Sequence, residues 1–274
     1  MSVFHRTALR QTGDYFAYEG RLEPFAEDLA VDIASQAEVI QSDAAKRIGS
    51  AIVAKRVFDI VVASAALALV SPIMLAAASA IRLDSRGSIF FTQERIGINR
   101  RRTQRRRAGR AIDSNAPTDT GADRRTNSNA GRPFMIYKFR TMIQDAERGG
   151  PKLACENDPR ITRVGRFMRK TRIDEIPQFI NVIRGDMSFI GPRPERSFYI
   201  NQVKREVPEF TMRLMVKPGI TGLAQVENGY TKTIGEMKGK LFYDLKYIAN
   251  LSLTQEIRIL FKTVYVVVTG KGAC

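Results

Sequence analysis

From Val57 to Ile81 the chain reads VFDIVVASAALALVSPIMLAAASAI, 25 positions of which Asp59 alone is charged. As a straight helix at about 1.5 Å per residue this run would measure roughly 37 Å, enough to cross a hydrocarbon core about 30 Å thick. Near its middle stand Ser71 and Pro72. A proline there removes a backbone donor and crowds the preceding turn, so a kink is expected. Lys55 and Arg56 precede the run while Arg82 and Arg86 follow it, which gives no charge asymmetry to orient a span. The reading that satisfies both facts is a helix-break-helix hairpin that enters the bilayer and returns. In it the Ser71 hydroxyl serves backbone groups freed by Pro72. A true span and a buried soluble helix stay open as alternatives.

Around that run the pattern divides the chain. Residues 1–48 show no sustained period and read as a poorly ordered tail or a tail with some surface helix. The hairpin takes 49–82, and 83–274 form the rest. SIFFTQERIG alternates as a strand does. Residues 100–132, rich in Arg, Ser, Thr, Asn and Gly with almost no large apolar residue, cannot bury a core and read as a disordered basic insertion. FMIYKFRTM predicts a strand and turn, followed by short helices to about residue 210 and a glycine-rich turn. Two helical stripes close the chain, Leu241, Phe242, Leu245 and Ile248 on one, Ile257, Leu260, Phe261, Val264 and Val268 on the other. Such stripes face a core or a membrane interface. The fold class is α+β, mostly helical.

Composition narrows the chemistry. Lys and Arg number 44 against 28 acidic residues, a net charge of +16 over 274 residues, so a polyanionic partner is expected. Much of the excess sits in one segment rather than on a patterned face, which favours phosphorylated substrates and anionic lipids over nucleic acid. His5 is the sole histidine, and Cys155 and Cys274 are the only cysteines. Histidine-base, zinc and disulfide schemes are therefore set aside.

Acidic chemistry concentrates in RVGRFMRKTRIDEIPQFINVIRGDMSFIGPRPE, where Asp174 and Glu175 follow Arg166, Arg169, Lys170 and Arg172 and precede Pro177. A helix from about Asp174 to Ile183 would set its positive end beside the two carboxylates, favouring a bound phosphate. The pair could share Mg²⁺, which prefers oxygen ligands and usually also holds substrate phosphate. Taken alone, an Asp-Glu pair near a helix start is more often simple capping than catalytic. In Gly191-Pro192-Arg193-Pro194 two prolines fix the backbone around one arginine, a suitable contact for a diphosphate. Pro218-Gly219-Ile220-Thr221-Gly222 reads as a tight turn whose glycines let amides approach a ligand, or as a plain structural turn.

Taken in order, KRVFDIVVASAALALVSP, FTQERIG, FMIYKFRTM, RKTRIDEIPQFINVIRGDMSFIGPRPE, KPGITGLAQV and FYDLKYIANLS resemble the bacterial sugar transferases of the small monotopic phosphoglycosyl transferase family, over residues 52–272. The resemblance implies a monotopic membrane protein with a re-entrant hairpin at Lys55, Arg56, Ser71 and Pro72 and a catalytic domain with interfacial helices. That domain would lie at the cytoplasmic face of the bacterial inner membrane. It implies transfer of a hexose-1-phosphate from a UDP-sugar to polyprenyl (undecaprenyl) phosphate, the first step of exopolysaccharide or glycan synthesis, with release of UMP. Asp174 would be the nucleophile of a ping-pong reaction, with Glu175 beside it and Mg²⁺ between them. Lys138, Arg169, Arg193, Thr221, Gln225 and Asp244 match the family's substrate-binding positions. A homodimer is left open. Two features depart from the family pattern: the arginine-rich insertion, and AQVENGY, which lacks an arginine after Asn-Gly. The short form resembles rhizobial enzymes that transfer galactose-1-phosphate, which makes galactose or glucose the expected sugar. The non-enzymatic alternative is a membrane-tethered basic adapter or nucleic-acid binder.

Overall fold

The computed structural model describes residues 31–38, 40, 44–99, 131–146, 158–228 and 234–269. His5, Cys155, Cys274, most of the basic insertion and the end of AQVENGY lie outside the described residues. Along the chain come α1 (Ala44–Asp84), β1 (Phe90–Ile96), β2 (Pro133–Phe139), α2 (Arg163–Thr171), α3 (Gln178–Arg184), β3 (Ser188–Ile190), α4 (Ser197–Glu206), β4 (Gly219–Thr221), α5 (Leu223–Asn228), α6 (Ile234–Ala249) and α7 (Leu253–Thr269). Two 3₁₀ segments, Ile173–Glu175 and Pro208–Met215, join them. The two predicted strands pair as an antiparallel ribbon in which Phe91 faces Lys138. The segment read as a glycine-rich turn is instead a short strand, β4, parallel to β3.

The apolar run lies within one continuous helix of 41 residues with Pro72 inside it. The break expected at Ser71-Pro72 does not interrupt the helix, and Ser71 Oγ donates to Ala68 O at 2.9 Å. By length and composition Val53–Asp84 could cross a membrane. Its packing is divided, however. Ala63 is enclosed with Ile136, Val182 and Met187, whereas Ala77 and Ile81 pack with Phe139 and Met168. Both ends thus bind the same body, and no residue from Ser64 to Ile73 is buried. Leu69 and Leu75 are 80% and 72% exposed. At about 1.5–3 kcal/mol per large side chain held in water, such a surface calls for an apolar surrounding.

Polar anchors fix the helix where it meets the domain. Asp59, the charge inside the apolar run, accepts from Ser188 Oγ at 2.8 Å and Phe189 N at 2.9 Å. Lys55 donates to Ile190 O and Glu256. Arg56 donates to Val182 O and Ile183 O, satisfying carbonyls at the C-terminal end of α3 where a cation is favoured. Lys55 and Arg56 therefore face protein, which their position as flanking charges does not reveal.

The largest core gathers the α6 stripe, Leu241, Phe242, Leu245 and Ile248, with Phe189, Ile190, Phe210 and Leu214. Ile33, Ala37 and Ile40 join it, from a stretch helical over 31–38. The end of the expected tail is thus corrected to a packed helical segment, its apolar positions falling on one face at spacings of four and three. The second stripe behaves differently: in α7 only Glu256 and Ile259 are buried, and Phe261 and Val268 are 71% and 80% exposed.

Candidate active site

Four segments converge on the Asp174-Glu175 pair. Helix α2 starts from two caps, Thr162 Oγ1 accepting from Gly165 N and Asp84 Oδ2 from Val164 N, which occupy donors that a helix start leaves unpaired. Gly165 lets this start lie on the end of β2, since a Cβ there would fall 2.1 Å from Thr141 O. The helix ends at Arg172, whose φ of 59° is left-handed, an uncommon and costly state for a residue other than glycine. That reversal turns the chain into the 3₁₀ segment carrying Asp174 and Glu175. The single helix expected from Asp174 to Ile183 is therefore divided. Pro177 caps α3 rather than entering its first turn, so the dyad occupies a tight turn before the helix.

Strand β2 supplies Lys138. Its position relative to the dyad is set by Asn181, fully buried on α3, which accepts from Tyr137 N at 3.0 Å and donates to Met135 O at 2.7 Å. A mid-helix asparagine thus replaces a missing strand partner for β2. Arg193 comes from the turn after β3. The glycines near it serve packing: a Cβ on Gly219 would lie 2.1 Å from Gly191 N, and one on Gly191 2.5 Å from Lys217 O. Gly191-Pro-Arg-Pro and Pro-Gly-Ile-Thr-Gly are therefore two halves of one close-packed unit.

The two carboxylates sit in opposite circumstances. Glu175 is gripped bidentately by Arg193 at 2.5 and 3.2 Å and takes Lys138 Nζ at 2.7 Å. Burial works against its charge, but Arg193 and Lys138 outweigh burial and hold it well below the ordinary glutamate range. Asp174, though buried, accepts no hydrogen bond from any described residue. Burial raises it to about 6, and Glu175 adds to the rise while Lys138, Arg169 and Arg193 oppose it. A buried carboxylate with no hydrogen-bonding partner among the described residues thus lies beside a cation-saturated one, a contrast of the kind that functional sites build.

Of the remaining expected positions, Thr221 and Gln225 line a cleft of about 250 Å³ together with Glu175 and Arg172. Asp244 stands elsewhere. It is 2% exposed and paired with Arg213 at 2.8 Å, because α6 turns that face into the core. Arg213 in turn donates to Arg193 O at 2.9 Å, and Lys240 holds Glu195 at 2.5 Å. Asp244, expected as a substrate contact, is placed by this pairing behind the Arg193 turn. Asn181, Arg213 and Thr263 do not stand out in the sequence. An asparagine amid the apolar residues of QFINVIR was the one visible sign.

The sequence profile of bacterial sugar transferases matches residues 50–107 and 111–270. The chain belongs to that family. It is 41% identical over 219 residues to a UDP-N-acetylgalactosamine-undecaprenyl-phosphate N-acetylgalactosaminephosphotransferase of Aeromonas hydrophila, covering 80% of this chain and 44% of that protein. A UDP-glucose:undecaprenyl-phosphate glucose-1-phosphate transferase of Caulobacter vibrioides is 36% identical over 223 residues, 80% of this chain and 71% of the relative. An exopolysaccharide production protein of Rhizobium leguminosarum is 34% identical over 228 residues, 81% of this chain and 98% of the relative. The chain spans less than half the length of the Aeromonas relative and of two UDP-glucose:undecaprenyl-phosphate glucose-1-phosphate transferases, from Klebsiella pneumoniae and Escherichia coli, that are 35% identical to it.

Proposed function

We propose that the chain transfers a sugar-1-phosphate from a UDP-sugar to polyprenyl phosphate in two displacements at Asp174. The observation that carries this reading is the buried Asp174 carboxylate, unpaired beside a Glu175 that is held by two cations. In the first step an Asp174 oxygen attacks the sugar-linked phosphorus. The bond to the bridging oxygen breaks, UMP leaves, and the phosphosugar remains on Asp174 as an acyl phosphate. In the second step a phosphate oxygen of the lipid attacks the same phosphorus. The acyl phosphate bond breaks, freeing the Asp174 carboxylate and giving a polyprenyl diphosphate sugar.

An anion attacking an anionic diphosphate needs charge neutralised around it. Lys138 and Arg193 stand within hydrogen-bond reach of Glu175, and Arg169 acts on Asp174 through space. They bind the phosphates and orient the donor. The donor set for Mg²⁺ is open rather than closed: no group of three or more acidic, histidine or cysteine ligands occurs among the described residues. Asp174 with free lone pairs, Glu175 and substrate phosphate oxygens fit an ion that usually takes one or two carboxylates and retains water. Bound there, Mg²⁺ would neutralise diphosphate charge.

The membrane arrangement belongs to the same proposal. Packing of both ends of α1 on one body, with its exposed apolar middle around Ser71-Pro72, supports a helix whose apolar middle lies in the bilayer while both ends stay with the domain at the cytoplasmic face. The relatives' names divide between N-acetylgalactosamine and glucose, so the donor sugar is decided by assay. The test is UMP release from a panel of UDP-sugars, with Mg²⁺ and polyprenyl phosphate. Turnover with at least one sugar, abolished in Asp174→Ala, is expected; undiminished turnover in that variant would end the proposal.

A further inference from the structure

Beside the dyad lies the cleft of about 250 Å³, and its chemistry separates the two substrates. Pockets that enclose a whole organic ligand run about 300–1,000 Å³. This one is smaller and suits part of a molecule that continues outside it. Its walls include Phe179, Phe189, Ile220, Val266 and Val267.

Most of the polar groups lining it are already committed. Thr263 Oγ1 donates to Ile259 O at 2.8 Å, so the proton between the Thr221 and Thr263 hydroxyls, also 2.8 Å apart, comes from Thr221. Thr171 gives its proton to Phe167 O or Met168 O, and Gln225 Nε2 donates to Ile220 O. A nucleotide would bring a ribose, a base and two phosphates to walls whose hydroxyl protons are spent within the protein and whose one buried side-chain atom without a partner, among the described residues, is the acceptor Gln225 Oε1. Leaving those groups unmatched costs about 1–3 kcal/mol each. An isoprenoid chain asks for no hydrogen bonds.

One end of the cleft carries Arg172 and Glu175, next to the reacting carboxylate. Val266 and Val267 on α7 form its wall, and Val267 is 49% exposed, continuous with exposed Val264 and Val268. Through Glu256 and Lys55, α7 is bonded directly to the apolar helix α1. Asp174, Lys138, Arg169 and Arg193 do not line this space.

The geometry points to this cleft as the acceptor site, taking the phosphate and first isoprene units of the lipid, while the nucleotide sugar binds on the Lys138, Arg169 and Arg193 side of the dyad. This rests on the two-displacement reading above. Each displacement is in line with the bond between Asp174 and phosphorus, so the lipid phosphate comes to the position that UMP has left, while the uridine and the isoprenoid extend to different sides of the Asp174-Glu175 turn.

The test fills the cleft from α7, with Val266→Trp and, at the more exposed position, Val267→Trp, and measures each substrate separately. For at least one folded variant, kcat/KM for polyprenyl phosphate should fall about tenfold or more, with kcat/KM for the UDP-sugar within about twofold of the parent. A parallel loss for the UDP-sugar, or loss for it alone, would overturn the assignment. Should both variants unfold, a polyprenyl phosphate analogue with a photoreactive group on its first isoprene decides. Crosslinks to 171–179, 189, 220–226 or 263–267 in the unaltered chain are expected, and crosslinks confined elsewhere refute the site. UMP release by the unaltered chain without lipid reports separately on the covalent step; its absence would sink that step while the kinetic split and crosslink map still decide the cleft.

Discussion

Replacing Asp174 by asparagine should destroy turnover and make the protein more stable, with the gain depending on pH. The buried carboxylate titrates at about 6 instead of the ordinary 3.8. A folded-state value above the unfolded one means that the folded chain prefers the protonated acid. The penalty for ionising it therefore grows as pH rises from about 4 through 6 and is complete above. A shift of about two pH units is worth roughly 3 kcal/mol at pH 8, of which about 1 kcal/mol is already present at pH 4.5. The amide of the Asp174→Asn variant has no charge to bury and escapes the penalty. Thermal unfolding in detergent with a chelator should show the variant's advantage growing by about 2 kcal/mol between pH 4.5 and 8. For a chain of this size that is about 4–8 °C. An advantage that stayed constant, or shrank with rising pH, would refute the argument that burial without hydrogen bonds sets the state of Asp174.

Three further outcomes follow from the same geometry. The rate at limiting UDP-sugar should rise with pH through about 6, as Asp174 ionises, and a pH-rate profile that stays flat there would contradict its role as nucleophile. Asn181→Leu strands Tyr137 N and Met135 O, costing about 2–6 kcal/mol in chemical denaturation, since each orphaned group costs about 1–3 kcal/mol. Glu195 is held down to about 2: burial opposes its charge, but Lys240 and Arg213 prevail. The stability it contributes is present above about 4.5 and lost as pH falls toward 2, so Glu195→Gln should be destabilised at pH 7 and show a shallower acid transition.

Much of the local structure was legible because it depends on short-range pattern. The alternation in FFTQERI and the α6 stripe emerge as β1 and a core helix. The tail segment with Ile33, Ala37 and Ile40 was hidden because its three buried positions are diluted by a longer polar stretch, and only tertiary packing selects them. The break expected at Pro72 is absent, since a helix can carry a proline where neighbouring groups compensate, and α1 runs through it. At the site, sequence located Asp174, Glu175, Lys138 and Arg193 but could not show that Glu175 is saturated and Asp174 unpaired. That difference arises from contacts across 18 and 37 positions of sequence. Asp244, singled out by its match to the family, has a buried partner, Arg213, that only the fold brings beside it.

The most direct test of the central claim is the mass of the purified chain after incubation with its UDP-sugar and Mg²⁺ in the absence of lipid. The expected result is an added phosphosugar, located to the peptide containing Asp174, removed by alkali or by polyprenyl phosphate and missing in Asp174→Asn. A protein that turns over with lipid present but never carries that mass, or carries it on another residue, would contradict it.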